Sequence, residues 1–446
     1  MIRLGPIFIG LLSGLLFNTE IIYAQEIREY MDLQIHTTMH VPYKFFGHGL
    51  QYFGEGEDPK LKHKHQFKNV NYANYLKANK GARIFINGAL ANAGVASKKK
   101  AKKLIITQLE YVNKFIEENS DHFALARTPE EVRHLIHNTD KTVIIHSIEG
   151  GKKLINGPAD AKFWANQGVS FITLIHLIDY KSGASAFKPG VFTTLLNFRG
   201  KFKTKKKRGL KDHGENAIHW LANEGIMIDI SHMAPPTRVD ALELMEAAGI
   251  PPIATHDLFK PIQNNQRGID TASILKIYKN GGLMSLPISG YSLKAHKPYP
   301  EYRAALDSIE NYCPGSIDTY KFTYSALKSF IERNVVNIHP EGKSFSELSE
   351  EEKVRYSIGF QSDFNGWLNH SRPRYGRGGC HEIEEGVVYE DIELFGMTHP
   401  GLLESNWKLL EKENVDLSPI RRSSERFLQI WQFFLDNKGS FVVQDN

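Results

Sequence analysis

The stretch "TVIIHSIE" at 142–149 decides how the chain is read. Val143, Ile144 and Ile145 are consecutive, so a strand built from them is apolar on both faces. That pattern belongs to a parallel sheet covered by helices on either side. The run ends on a carboxylate, Glu149. Working outward, similar runs recur at "YMDLQIH" (30–36), "ARIFING" (82–88), "SFITLIH" (170–176) and "IMIDISH" (226–232). Three more follow at "PIATH" (252–256), "GLMSLPIS" (282–289) and "YSIGFQSD" (356–363). Helix-like segments such as 99–119, 214–223, 236–247 and 271–279 lie between them. Eight strands alternating with helices predict an α/β fold, a (β/α)8 TIM-type barrel. The alternative is an open doubly wound sheet, but no Gly-rich phosphate loop opens a first βα unit.

The 446 residues, 41% hydrophobic and 24% charged, are ordinary for a folded domain. We read 25–446 as one barrel domain with insertions at about 177–212 and 290–355 and a helical C-terminal extension at about 400–440. Within these, "YSALKSFIERNVV" (324–336) is helix-like, and "SSERFLQIWQFFLDN" (423–437) reads as an amphipathic helix packed on the barrel. The net charge is +5, concentrated in "SKKKAKKL" (97–104) and "KFKTKKKR" (201–208). These read as a solvated helix face and an exposed loop; no helix-turn-helix, zinc-finger or RNP pattern accompanies them, so no nucleic-acid partner is expected. Arg3, an apolar core from Leu4 to Phe17, and Ala24 before Gln25 match a secretory signal peptide over 1–24. The expectation is an exported protein, periplasmic or secreted, rather than a membrane-anchored one. Cys313 and Cys380 can form one disulfide in an oxidising compartment.

Reactive side chains cluster at the strand ends. Gln34 and His36 close the first strand, Glu149 the third, His176 the fourth, His232 the fifth, His256 the sixth and Asp363 the eighth. In a barrel, those ends open onto one mouth, where the chemistry of this fold is found. One histidine ending an apolar strand is an ordinary core residue. Four histidines and two carboxylates on six converging strands point to a metal site.

In order, "HSIEGG" (146–151), "TLIHLID" (173–179), "IDISH" (228–232), "PIATHD" (252–257), "QRGID" (266–270) and "QSDFNG" (361–366) resemble the membrane (renal) dipeptidase family of zinc peptidases. "HPGLLESNWKLL" and "LSPIRRSSERFLQIW" are similar to the tail of its bacterial members. The resemblance implies a barrel with two zinc ions sharing one glutamate, here Glu149. It makes His232 and His256 ligands of one metal, and His176 a contact of the substrate near the scissile carbonyl. Arg267 would hold the substrate, through its terminal carboxylate, and Asp363 would be the acid/base. It implies a small peptide substrate, and since family members often pair, a homodimer is open.

The departure lies on the first strand. The family begins its other metal site with His-x-Asp, or His-x-His in some bacterial members, whereas this chain carries Gln34-x-His36. Gln is a weak neutral donor, and loss of the carboxylate leaves repulsion between two dications less compensated. One zinc site is therefore expected, with the second weakened. Gln34 either ligates metal or only hydrogen-bonds to His36 or to a metal-bound water. His40 is a candidate substitute ligand; His63 and His65 read as surface loop, His146 as structural, and Asn365 as outside the ligand set. The expected activity is dipeptide hydrolysis by metal-activated water. Another amide or lactone hydrolase of the same barrel class, and a catalytically weakened exported peptide-binding protein, stay open.

Overall fold

The computed structural model describes residues 26–44, 47–52, 72–91, 96–186, 208–289, 293–366 and 368–441. Eight parallel strands close into a ring in sequence order. They are β1 (Met31–Ile35), β2 (Ile84–Leu90), β3 (Thr142–Glu149), β4 (Val169–Thr173), β5 (Met227–Asp229), β6 (Ile253–Ala254), β7 (Leu283–Pro287) and β8 (Ile358–Gln361). Each expected strand overlaps one of these eight. The longest pairing joins β2 to β3 from Ile84↔Val143 to Leu90↔Glu149. Every residue of β1, β2 and β3 is buried, which explains the unbroken apolar runs.

β1 and β8 form the seam between the chain's first and last barrel strands. Buried Asp32 accepts from the Ser362 amide (2.9 Å), the Ser362 hydroxyl and the Gln34 amide (3.2 Å). Burial pushes its pKa up to about 7 against those bonds. Past the strands, Asp363 N donates to Gln34 O (2.8 Å) and His36 N to Phe364 O (3.0 Å), so the seam runs on into the rim.

The covering helices follow local signals. Ser97 caps Lys98–Glu118, whose buried Ala101, Leu104, Ile105, Gln108, Leu109 and Val112 keep helical spacing. The basic run 97–104 starts this helix, with Lys98, Lys99, Lys100 and Lys103 exposed; nearly all of the second run lies outside the described residues. The stretch 290–355 carries two longer helices, Pro300–Asp307 and Ile317–Ile338. Of 177–212, residues 187–207 lie outside the described residues, as does the signal-like 1–24.

The C-terminal helix Ser418–Asp436 buries Phe427, Leu428, Trp431 and Phe434. At roughly 1.5–3 kcal/mol per side chain, that face contributes on the order of 10 kcal/mol before entropy is counted. Glu425 ties it to Ile27 N (3.1 Å) and Arg133 (2.6 Å). Cys313 and Cys380 form a disulfide, with Cα atoms 5.6 Å apart. Among the described residues, no helix is long and apolar enough to cross a membrane.

Candidate metal centre

The strand ends deliver their polar side chains to one point inside the rim. Glu149 stands at the end of β3, and its Oε1 lies 3.0 Å from His256 Nε2, 3.2 Å from His232 Nε2 and 3.3 Å from His176 Nε2. Its Oε2 is 3.4 Å from His36 Nε2, which is also 3.4 Å from Asp363 Oδ1. Donor atoms of Glu149, His232 and His256 all lie within 4.8 Å of one another, and the three residues are buried. His232 and Asp363 have φ of 66° and 53°. Left-handed backbone is uncommon for such residues, and it turns each side chain back over the barrel just past its strand.

Hydrogen bonds fix which ring nitrogens are free. Buried Asp229, last residue of β5, accepts from the hydroxyls of Thr173 (2.6 Å), Ser231 (2.7 Å) and Thr255 (2.8 Å). Because Thr255 donates to Asp229, its oxygen accepts from His256 Nδ1 at 2.7 Å. The neutral His256 ring therefore carries its lone pair on Nε2, toward Glu149. His36 Nδ1 donates to the Gly88 carbonyl at 2.6 Å, which turns Nε2 toward the carboxylates of Glu149 and Asp363. Sequence reasoning passed over Asp229 and Thr255, both lying inside the motifs "IDISH" and "PIATHD". A polar residue recurring in an otherwise apolar strand was the available signal.

Charge at the centre is unevenly compensated. Burial raises Glu149, yet the surrounding imidazoles hold it well below the usual carboxylate range. Burial disfavours a charged His36, but Asp363 and Glu149 outweigh it and lift the ring to about 10. Burial brings His176 down to about 4, and burial with the Arg267 charge pushes His232 well below its ordinary value. His176 and His232 are therefore neutral at pH 7.

The residues fit a metal ion. Two imidazoles and a carboxylate match the donor set of a catalytic zinc site. His256 Nε2 and Asp363 Oδ1 are buried without a hydrogen-bond partner among the described residues, an arrangement that is costly unless something else satisfies them.

Gln34 is fully buried with Nε2 3.2 Å from His36 Nε2, while its Oε1 has no hydrogen-bond partner among the described residues. It packs on Gly88, where a Cβ would fall 2.6 Å from Gln34 Nε2. Arg267 donates through Nη2 to the His256 carbonyl (2.6 Å). His146 is buried between Asn87 (3.2 Å) and Asn113 (2.8 Å), away from this cluster of contacts, and Asn365 donates to the His36 carbonyl (2.8 Å). The His40 side chain and both His63 and His65 lie outside what the structure describes.

A closed parallel barrel with a buried Glu–His–His group at its C-terminal rim defines the class of barrel metalloproteins. Within it, this chain belongs to the membrane dipeptidase family (peptidase family M19), whose model matches residues 55–338. It is 27% identical over 154 residues to mouse dipeptidase 3, a match covering 34% of this chain and 29% of that protein. It is 25% identical over 177 residues to an uncharacterized dipeptidase of Schizosaccharomyces pombe, covering 39% and 38%. The chain thus matches less than half the length of these curated relatives. Its fold resembles that of an amidohydrolase from Pseudomonas aeruginosa (TM-score 0.54, 14% identity, 92% of this chain and 97% of that one). A metallopeptidase from Rhodobacter sphaeroides, liganded with a phosphinate mimic of the dipeptide L-Ala-D-Ala, is also similar (TM-score 0.52, 13% identity, 82% and 90%).

Proposed function

We propose that this chain is a zinc-dependent dipeptidase. The observation that carries the proposal is the convergence of buried Glu149, His232 and His256 within 4.8 Å at the barrel mouth, in a chain of the membrane dipeptidase family. These three residues would hold the zinc, which supplies Lewis acidity, polarising a carbonyl and making a water acidic near neutral pH.

The remaining groups have separate tasks. Asp363 takes the proton from the attacking water and returns it to the leaving amine. Its backbone at φ 53° and its buried Oδ1, which has no hydrogen bond among the described residues and lies 3.4 Å from His36 Nε2, support that role. Neutral His176 donates its N–H to the oxygen that becomes negative as the carbonyl turns tetrahedral. Arg267 takes the substrate's terminal carboxylate. Gln34 and His36 make the second metal position weak, so one zinc per chain is expected. Export is part of the proposal: the signal-like 1–24 and the Cys313–Cys380 disulfide both suit an oxidising compartment.

The test joins metal analysis to a panel of dipeptides, N-acyl amino acids and a lactone. About one zinc per chain with turnover of dipeptides is expected. Asp363→Asn should lose about a hundredfold or more in kcat while keeping its metal. Zinc content near zero with tight binding of intact peptide refutes the enzyme reading, and turnover of the lactone alone refutes the substrate class.

A further inference from the structure

The dipeptidase reading gives Arg267 a task but leaves open what aims it. The loop after β6 supplies an answer. Leu258–Phe259 pairs in parallel with Gly268–Ile269, folding the chain back so that Arg267 returns to the strand end it left. Gly268 permits this close return, since a Cβ there would lie 2.6 Å from the Gln263 carbonyl. At the crossing, Arg267 Nη2 holds the His256 carbonyl and lies 3.5 Å from Asp257 Oδ1. Asp257 is 1% exposed, and neither of its oxygens has a hydrogen-bond partner among the described residues. A fully buried second cation, Arg238, stands on the neighbouring helix Pro235–Ala247, where it is held by the Gly268 carbonyl (2.9 Å) and lies 3.6 Å from Asp270. Its charge and that of Asp257 act on each other. Among the described residues Arg267 Nη1, itself buried, has no hydrogen-bond partner, which leaves one edge of the guanidinium unspent.

We propose that Asp257 is the positioning residue that anchors Arg267 by one edge and keeps the Nη1 edge available for a substrate carboxylate, so that Asp257 sets the demand for a free C-terminus. This rests on the dipeptidase reading. A buried carboxylate without hydrogen bonds is expensive unless it offsets a charge beside it, and of the two cations that act on Asp257 the stronger is Arg267, the one assigned to substrate. Anchoring one edge in advance removes an ordering cost that substrate would otherwise meet.

The experiment compares two probes by calorimetry on the zinc-loaded protein: a phosphinate dipeptide mimic with a free C-terminal carboxylate, and its C-terminal amide. The native chain should prefer the free acid by at least about tenfold. Asp257→Asn should lose most of that preference, with zinc content and thermal midpoint retained. In hydrolysis, its loss on dipeptides should fall on KM rather than kcat. Asp257→Glu, which keeps the charge but displaces it, serves as a second variant and should lose part of the preference. Full preference in both variants, or none in the native chain, overturns the proposal. Failure to hydrolyse dipeptides while the mimics still bind with this pattern would instead overturn the dipeptidase reading alone.

Discussion

Thr255→Val removes one hydroxyl at a site where the structure says what that hydroxyl does. Thr255 is 1% exposed and valine matches its shape, so no cavity opens. The hydrogen bonds to Asp229 Oδ2 (2.8 Å) and from His256 Nδ1 (2.7 Å) vanish, along with a long 3.5 Å contact to the Ser231 hydroxyl. Asp229 Oδ2 keeps the Thr173 hydroxyl at 2.6 Å, so stability should fall by only about 1–3 kcal/mol. His256 has no other hydrogen bond to Nδ1 among those described, and its tautomer is released. Partners that orient a ligating histidine are worth about 10–100-fold in metal affinity, which is roughly 1.4–2.7 kcal/mol. Zinc affinity measured by chelator competition should drop by that factor in Thr255→Val, while Thr255→Ser, which retains the hydroxyl, should stay within about threefold. An unchanged affinity in Thr255→Val, or an equal loss in Thr255→Ser, would refute the hydrogen-bond argument.

Gln34→His should raise the bound zinc from about one toward two equivalents per chain and increase turnover; unchanged stoichiometry by metal analysis would mean Gln34 is not what weakens the second position. Replacing both Cys313 and Cys380 by Ser frees a link across 67 residues of sequence, and urea unfolding should show a loss of about 4 kcal/mol, less if the unfolded chain keeps structure. Burial, with Arg127 nearby, depresses His146 to about 3. The unfolded chain takes up that proton near pH 6.5 and the folded one does not, so stability is lost as pH falls below about 6.5. Between pH 7 and pH 5 the loss from this group is about 2 kcal/mol. The same urea series on His146→Gln should show a correspondingly shallower pH dependence.

The barrel was legible because its strands, buried on both faces, leave unbroken apolar runs. Even β6, only two residues long here, announced itself through "PIATH". The ligand candidates were legible because each closes such a run. Their orienting groups were not: Asp229, Thr255 and Asp257 read in one sequence as polar residues on a core strand or in a loop, and only proximity across strands assigns them partners. The left-handed backbone of His232 and Asp363 was equally hidden, since neither is a glycine. The insertion 290–355 read as one helix and carries two longer ones, because Pro300–Asp307 buries only Leu306 and so shows almost no apolar stripe. The pairing of Cys313 with Cys380 was expected only as an option, because spacing alone does not bring two thiols together.

The seam between β1 and β8 has a consequence for how the protein matures. Its buried Asp32–Ser362 contact spans 330 positions of sequence, and the cluster around Glu149 draws on residues from both of its sides. Synthesis must pass the last barrel strand before the ring can shut, so the donors of β3, β5 and β6 are made well before the strand that closes the barrel around them. Closure is therefore the last step of assembly, and the one that fixes the two flanks of the cluster, His36 and Asp363, against Glu149.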